Sequence, residues 1–481
     1  MQQIRPPAKR PLHRLLDPAT LLLAVAAFTL LGVLAGVGTG LAPGLHVNNV
    51  ALLLLASRPA FEGAVLFLFP GAGPAETVAI LSSFVMGTVV GHSFLDFVPS
   101  VYLGAPEEKT ALAILPGHRL LLAGEGHVAV RLAARGALAG VAASVALLLP
   151  LRLFLGTPFD AYERAKGAIA FILLGIALLL ILSEKDRRAS RARSSRWRQR
   201  GIAAAVFLVS GAFGWVLLDT TWLTSWNWYP LGRWSADFGT LVLFPLFTGL
   251  FGLSTLVLSS RNRAAVPPQD LSRSPGVRRR GLARGILSGS IAGALVSWLP
   301  GLSSGAATAL AQVLSRGQGS EASPESLREF MVALGAVSTA TAVFTVSVLF
   351  IIDRARSGAA VAIRDLNAGP VASWEPATQP PGLLLVLLVS AALAAIVAYP
   401  VTVACSRLAA RRIHRVRYDL LARAVLVVLV AHIVILAGAA GLMVAVVAGV
   451  LGLVPPVAGV KRVHLMGCLI VPVALLYLGV A

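Results

Sequence analysis

Two dipeptides hold most of the chemistry this sequence offers. Pro43-Gly44 and Pro300-Gly301 each interrupt an apolar run, since proline has no N–H to donate and glycine leaves helical geometry at little steric cost. An unpartnered peptide group in hydrocarbon costs several kcal/mol, so broken backbone survives at membrane depth only inside protein or beside a wet cavity. The run after the first break is His46-Val47-Asn48-Asn49, and the run after the second contains Ser303, Ser304 and Thr308. Such residues would open a half-helix whose N–H groups and positive dipole end suit an anion. Pro43, Gly44, His46, Asn48, Asn49, Pro300, Gly301, Ser303, Ser304 and Thr308 are therefore the candidate binding residues. The alternative makes the glycines ahead of each break, Gly32/Gly36 and Gly289/Gly293, close helix-packing seams and the Pro-Gly pairs surface turns.

His92 and Asp96 lie four residues apart, on one helical face. Ionisable groups inside a span are costly and default to functional candidates, which makes the pair a candidate for coupling to Na+ or H+. The competing reading is a solvated ion pair at the cytoplasmic interface near Pro99. Glu107, Glu108, His118 and Glu125 fall in a polar stretch and read as solvated, and His432 reads as a helix–helix hydrogen bond. Cys405 and Cys468 are too few for a disulfide framework. No catalytic triad, metal-ligand or phosphate-loop spacing emerges, so no enzyme, metal or cofactor is expected.

Composition says what must position these residues. The chain is 57% hydrophobic and 13% charged with mean hydropathy +0.81, against about 25% charged for soluble domains. This is an all-α, polytopic membrane protein. About 20 apolar residues make one span, and the candidates are Pro18–Leu41, Pro74–Val98, Val128–Phe154, Glu163–Leu182, Gly201–Leu218, Asp237–Leu258, Gly281–Leu299, Arg328–Ile352, Pro381–Val403, a Leu420–Val454 tract long enough for two, and Val463–Val480. That makes roughly twelve crossings of the plasma membrane. The net charge of +20 sits in connectors, which argues against nucleic acid as a partner. Lys185–Arg200 and Arg261–Arg284 are expected in the cytoplasm, Asp219–Ala236 with its tryptophans outside, and the N-terminus, with Arg5, Lys9, Arg10 and Arg14, in the cytoplasm. Arg407–Arg417 does not fit: three spans separate it from Arg284 and would place it outside. Either a segment near Ser303–Leu314 crosses or Arg354–Pro380 hides a crossing.

An internal repeat organises the chain. Gly32, Ala35, Gly36, Pro43, Gly44 and Leu45 recur at one offset as Gly289, Ala292, Gly293, Pro300, Gly301 and Leu302. The division is 1–260 for the first half, 261–284 for a basic linker and 285–481 for the second half. Paired breaks in two halves point to a transporter's central site. The repeat leaves open whether the halves run parallel or inverted, although basic residues before both breaks favour one direction.

Leu41-Ala42-Pro43-Gly44-Leu45, Tyr102-Leu103-Gly104-Ala105, Ala113-Ile114-Leu115-Pro116-Gly117 and Gly124-Glu125-Gly126-His127-Val128-Ala129 together resemble the large permease subunit of tripartite tricarboxylate transporters, TctA. Pro300-Gly301-Leu302-Ser303-Ser304-Gly305 fits the same duplicated pattern. The resemblance implies an ion-coupled secondary transporter of a small anionic solute such as a di- or tricarboxylate. It also implies a small membrane subunit and an external binding protein as partners. Ala105-Pro106-Glu107-Glu108 departs from the bacterial Gly-Gly-Ser pattern, and Gly44-Leu45-His46-Val47-Asn48-Asn49 looks like an archaeal branch. Rival readings are a translocase for an anionic lipid carrier such as polyprenyl phosphate and a membrane assembly protein without transport. Membrane lipid is a partner in every reading; a homo-oligomer is left open.

Overall fold

The computed structural model of the protein describes residues 16–42, 50–51, 54–55, 57–103, 114–182, 184, 193–218, 242–260, 266–274, 276–299, 304–314, 323–415 and 418–480. Helix is the only regular structure among them. In chain order the helices are α1 (Pro18–Leu41), α2 (Arg58–Leu68), α3 (Pro74–Leu95), α4 (Phe97–Tyr102), α5 (Ile114–Leu122), α6 (Gly126–Leu155), α7 (Ala161–Leu182), α8 (Arg193–Leu218), α9 (Phe244–Leu258), α10 (Arg279–Trp298), α11 (Ser304–Leu314), α12 (Pro324–Ile352), α13 (Gly358–Leu366), α14 (Gly382–Ile413), α15 (Tyr418–Ala458) and α16 (Gly467–Tyr477). Among the described residues eight stretches are long and apolar enough to cross a bilayer, and three shorter apolar ones lie at Phe244–Leu258, Arg423–Ile435 and Arg462–Tyr477. The fold is all-α and polytopic.

Local sequence explains the ends that matter. Asp17 caps α1, its carboxylate accepting from the Ala19 and Thr20 N–H groups, and Pro18 takes the first helical position, where its missing N–H is not needed. α1 stops at Leu41, two residues before Pro43, and α10 stops at Trp298, two before Pro300. The two Pro-Gly pairs themselves lie outside the described residues.

Glycine sets the packing. A Cβ on Gly32 would overlap the Phe84 carbonyl, one on Gly36 would stand 2.7 Å from the His92 nitrogen, and one on Gly40 2.8 Å from Leu95 Cβ. These contacts advance together along both helices, and Leu16 N–H donates to Glu76 at 3.0 Å at their shared start. α1 and α3 are therefore parallel, not antiparallel neighbours. The second half repeats this: Gly285 faces Glu329, Gly289 faces Ala333 and Gly293 faces Thr341, so α10 and α12 are also parallel. Two parallel helices in sequence need a return between them. The chain between Leu41 and Pro74, and again between Trp298 and Pro324, must come back across the bundle, which resolves the parity problem at Arg407–Arg417 in favour of a crossing near Ser303–Leu314.

The two pairs run in opposite directions. Tyr102 at the end of α4 and His127 at the start of α6 both reach Ser406 Oγ, at 3.1 and 3.0 Å, so α6 begins where α3 and α4 finish. α6 is parallel to α12: Gly136 lies against Val332, Gly140 against Ala336, and Glu125 holds Arg328 at their common start. α12 thus opposes α3, and the repeat is inverted. The halves also interlock, α6 lying on α12 while α14 lies on α3. α15 folds back at Gly438, where φ is 66° and a glycine is needed. Its arms pack in opposite directions along α9, with Leu429 beside Gly252 and Gly441 beside Pro245.

One membrane face collects the basic residues. The starts of α8, α10 and α12 and the end of α14 lie there, bringing Arg200, Arg273, Arg278, Arg284, Arg328, Arg411 and Arg412 to one side, while Leu16 is on the other. The first described residue, Leu16, therefore lies on the face opposite Arg273 and Arg284. The linker here is not a free tether: Gln269 Oε1 accepts from Gly126 N–H at 2.7 Å, and its Nε2 donates to the Leu121 carbonyl at 3.0 Å.

With Cys405 and Cys468 replaced, cysteines at Ser272, Arg411 and Thr378 test the topology. Ser272→Cys and Arg411→Cys should label from one side and Thr378→Cys from the other; Arg411→Cys labelling with Thr378→Cys would overturn the inverted arrangement. A Cβ at Gly335 would overlap the Ala133 carbonyl, so Gly335→Ala should cost about 1–3 kcal/mol of stability, read by thermal denaturation in detergent.

Candidate functional site

The inverted pairs meet at mid-depth. Ser338, halfway along α12, donates to the Ser93 carbonyl of α3 at 3.4 Å, which puts the crossing point beside His92. His92 is fully buried and Asp96 is 2% exposed, so neither is a solvated pair at the membrane surface.

His92 is held from α1. Its Nδ1 lies 3.1 Å from Thr39 Oγ1, which is in turn 3.1 Å from the Ala35 carbonyl. A hydroxyl has one hydrogen to give. With that hydrogen donated to Ala35, Thr39 accepts from His92 Nδ1–H, and Nε2 becomes the proton-accepting nitrogen of the neutral ring. Thr39 stands four residues before Pro43, and Gly40 packs against the His92 carbonyl and the Asp96 nitrogen, at 3.1 and 3.2 Å from a built Cβ. The structure thus brings the ion-coupling candidates His92 and Asp96 to the helix end that runs into the first break.

The second half supplies a different set. Gly36 opposite the His92 nitrogen and Gly293 opposite the Thr341 nitrogen make Thr341 the positional equivalent of His92. Thr345 corresponds to Asp96 in the repeat, four residues on from Thr341, and donates to the Thr341 carbonyl at 2.6 Å. The halves therefore share a scaffold but not its ionisable groups. α11 follows the second break with Ser304 half-buried at its start and Thr308 buried one turn on. Its Ala307 and Ala311 pack with Ala292 and Val296 of α10 against Val337, the residue before Ser338. α11 and the His92 region thus approach the same α3–α12 crossing. Pro43, Gly44, His46, Asn48, Asn49, Pro300, Gly301 and Ser303 lie outside the described residues. Among the described residues no group of three or more His, Cys, Asp or Glu side chains could hold a metal ion.

Sequence reasoning missed several buried polar groups. Glu125, read as solvated, is 5% exposed and clamps Arg328 at 2.6 Å and Arg273 at 2.8 Å, fixing the linker to the starts of α6 and α12. Glu107 and Glu108 lie outside the described residues. His118 is partly buried, and desolvation lowers its pKa below the ordinary imidazole value. His432 bonds the Val428 carbonyl of its own helix at 2.8 Å rather than a neighbouring helix. Arg152, near the end of α6, donates to the Trp374 carbonyl at 2.9 Å. Short-range spacing carries no sign of the Glu125 or Arg152 contacts, because their partners are some two hundred residues away.

Comparison with known proteins adds to this geometry. The family model described as "Tripartite tricarboxylate transporter TctA family" matches residues 26–467. An uncharacterised protein of the archaeon Methanocaldococcus jannaschii is 29% identical over 342 residues, covering 71% of this chain and 72% of that protein. No solved structure matches the chain.

The His92–Thr39 bond yields a direct test. In a double-mutant cycle of His92→Ala and Thr39→Ala, read by thermal unfolding, the two changes should be non-additive by about 0.5–1.7 kcal/mol, the range of such bonds between membrane helices. Additive losses would remove the bond and the tautomer it sets.

Proposed function

We propose that this chain, which belongs to the tripartite tricarboxylate transporter TctA family, moves a small organic anion such as a di- or tricarboxylate through the crossing of α3 and α12, coupled to a cation. The observation that carries the reading is the buried His92–Asp96 pair, set at mid-depth between inverted helix pairs and beside the helix end at the first break. Ionisable groups are kept there at a cost that packing alone does not require. Inverted halves about a central site let one arrangement open to either membrane face by the same motion.

In this reading the half-helix starts after Pro43-Gly44 and Pro300-Gly301 hold the anion through backbone N–H groups, assisted by His46, Asn48 and Asn49 in one half and Ser303, Ser304 and Thr308 in the other. His92 and Asp96 take the coupling ion, Na+ or H+. The halves 1–260 and 285–481 form the two sides of the pathway, with 261–284 as the basic linker. The arginine-rich face is cytoplasmic, which puts the N-terminus outside and replaces the sequence expectation of a cytoplasmic one. The membrane is the plasma membrane. A small membrane subunit and an external binding protein complete the assembly, as the family's description implies.

Counterflow of labelled citrate or succinate in proteoliposomes tests the proposal. Asn48→Ala with Ser304→Ala should nearly abolish exchange at limiting solute, because each lost bond to a charged ligand is worth about 1.5–3 kcal/mol, roughly tenfold to a hundredfold in affinity. Asp96→Asn should keep counterflow but lose ion-driven accumulation. Unchanged exchange in the well-expressed double variant would return the polar residues to helix packing.

A further inference from the structure

The basic face carries a second pair of buried ionisable groups, remote in sequence from the central site. Glu184 follows the last turn of α7, and His464 lies in the 3-10 turn Arg462–Met466 that leads into α16. Their side chains are 1% and 0% exposed, and His464 Nε2 stands 2.9 Å from Glu184 Oε2. The carboxylate is the acceptor, so Nε2–H donates and Nδ1 is the nitrogen that can gain a proton. Among the described residues neither Nδ1 nor Glu184 Oε1 has a hydrogen-bond partner. Burying ionisable groups with atoms left unbonded is unfavourable, and apolar residues of similar size would hold the same seam without that penalty.

The surroundings are polar on one side only. Arg200 Nη2 donates to the Leu182 carbonyl at 2.9 Å, while its Nε and the neighbouring Gln199 Oε1 are buried and unbonded. The charged or titratable groups that the adjoining elements bring to this end are Arg198 and Arg200 of α8, Lys461 and Arg462 beside the turn, and the Cys468 thiol. α11 carries no charge, nor does the arm of α15 after Gly438. The turn is packed between α8, α15 and α11, and α11 is the helix that follows the second Pro-Gly break.

We propose that the Glu184–His464 pair is a proton-binding site, separate from His92 and Asp96, whose occupancy reaches α11 through its contact with the 3-10 turn. A hydronium ion gives its proton to the Nδ1 lone pair, its O–H bond breaking as the N–H bond forms and water leaving, and the carboxylate–imidazole hydrogen bond becomes a carboxylate–imidazolium pair. On release the proton returns to water. The local charge changes by one unit inside a dry seam, where such a change is felt strongly. The transport consequence rests on the proposed function; the protonation itself does not.

Two measurements on the full chain in lipid vesicles test the site. With histidine ring nitrogens isotopically labelled, the magnetic-resonance signal lost in His464→Gln should move between alkaline and acid buffer without any solute, and Glu184→Gln should alter that movement. A signal that stays fixed overturns the proposal whatever the protein carries. In transport, one unit of pH gradient should raise citrate accumulation by the parent about tenfold per coupled proton. His464→Gln should lower that response by the tenfold share of one coupled proton while keeping citrate counterflow and expression. A variant that keeps the parent's pH response overturns the proposal, whereas absent counterflow in the parent overturns the citrate reading and leaves the resonance measurement as the deciding test.

Discussion

Close approach of backbones, made possible by glycine, is the constraint on which the structure depends. In lipid the association of helices gains nothing from hiding apolar surface, so packing and hydrogen bonds must supply it. Gly32, Gly36, Gly87 and Gly91 let α1 and α3 touch main chain to main chain, and Gly285, Gly289 and Gly293 do the same for α10 and α12. The register of those glycines fixes which residues face one another. It sets Thr39 against His92, and it sets Thr341 in the equivalent place. Parallel pairing follows from the same contacts, and it obliges the chain to return between the paired helices.

The glycine seams run along α1 and α10 to helix ends that stop two residues before each Pro-Gly pair. The notion that Gly32/Gly36 and Gly289/Gly293 serve helix packing is correct for those residues. That packing is also what carries the ends of α1 and α10 to the breaks. The asymmetry between the halves is chemical: at equivalent positions an imidazole and a carboxylate on α3 correspond to two threonines on α12.

Much of this was legible in the sequence, and the failures have physical reasons. The apolar runs, the duplicated glycines and a Leu420–Val454 tract long enough for two spans follow from local composition, and the predicted spans overlap described helices, while the fold-back at Gly438 came from the structure. Direction was not legible. A helix reads the same whether its neighbour runs with it or against it, and only the side-by-side register of Gly36 with His92 or Gly293 with Thr341 reveals it. Charge bias is a sum over connectors, and the arginines at the starts of α8, α10 and α12 gather on the face opposite Leu16. Glu125 looked like an ordinary solvated acid since its cationic partners, Arg273 and Arg328, arrive from distant parts of the chain.

The interlock of the halves has a consequence for how the protein is made. α3 is completed only when α14 lies against it, yet α14 emerges from the ribosome long after α3; at typical elongation rates the delay is roughly half a minute. During that interval the newly inserted first half has an unfinished flank in the bilayer, near the buried His92 and Asp96. Biogenesis thus has a long open stage, in which the early helices must be shielded by lipid or by the insertion machinery, and a late closing step that no fragment ending before residue 413 can reach.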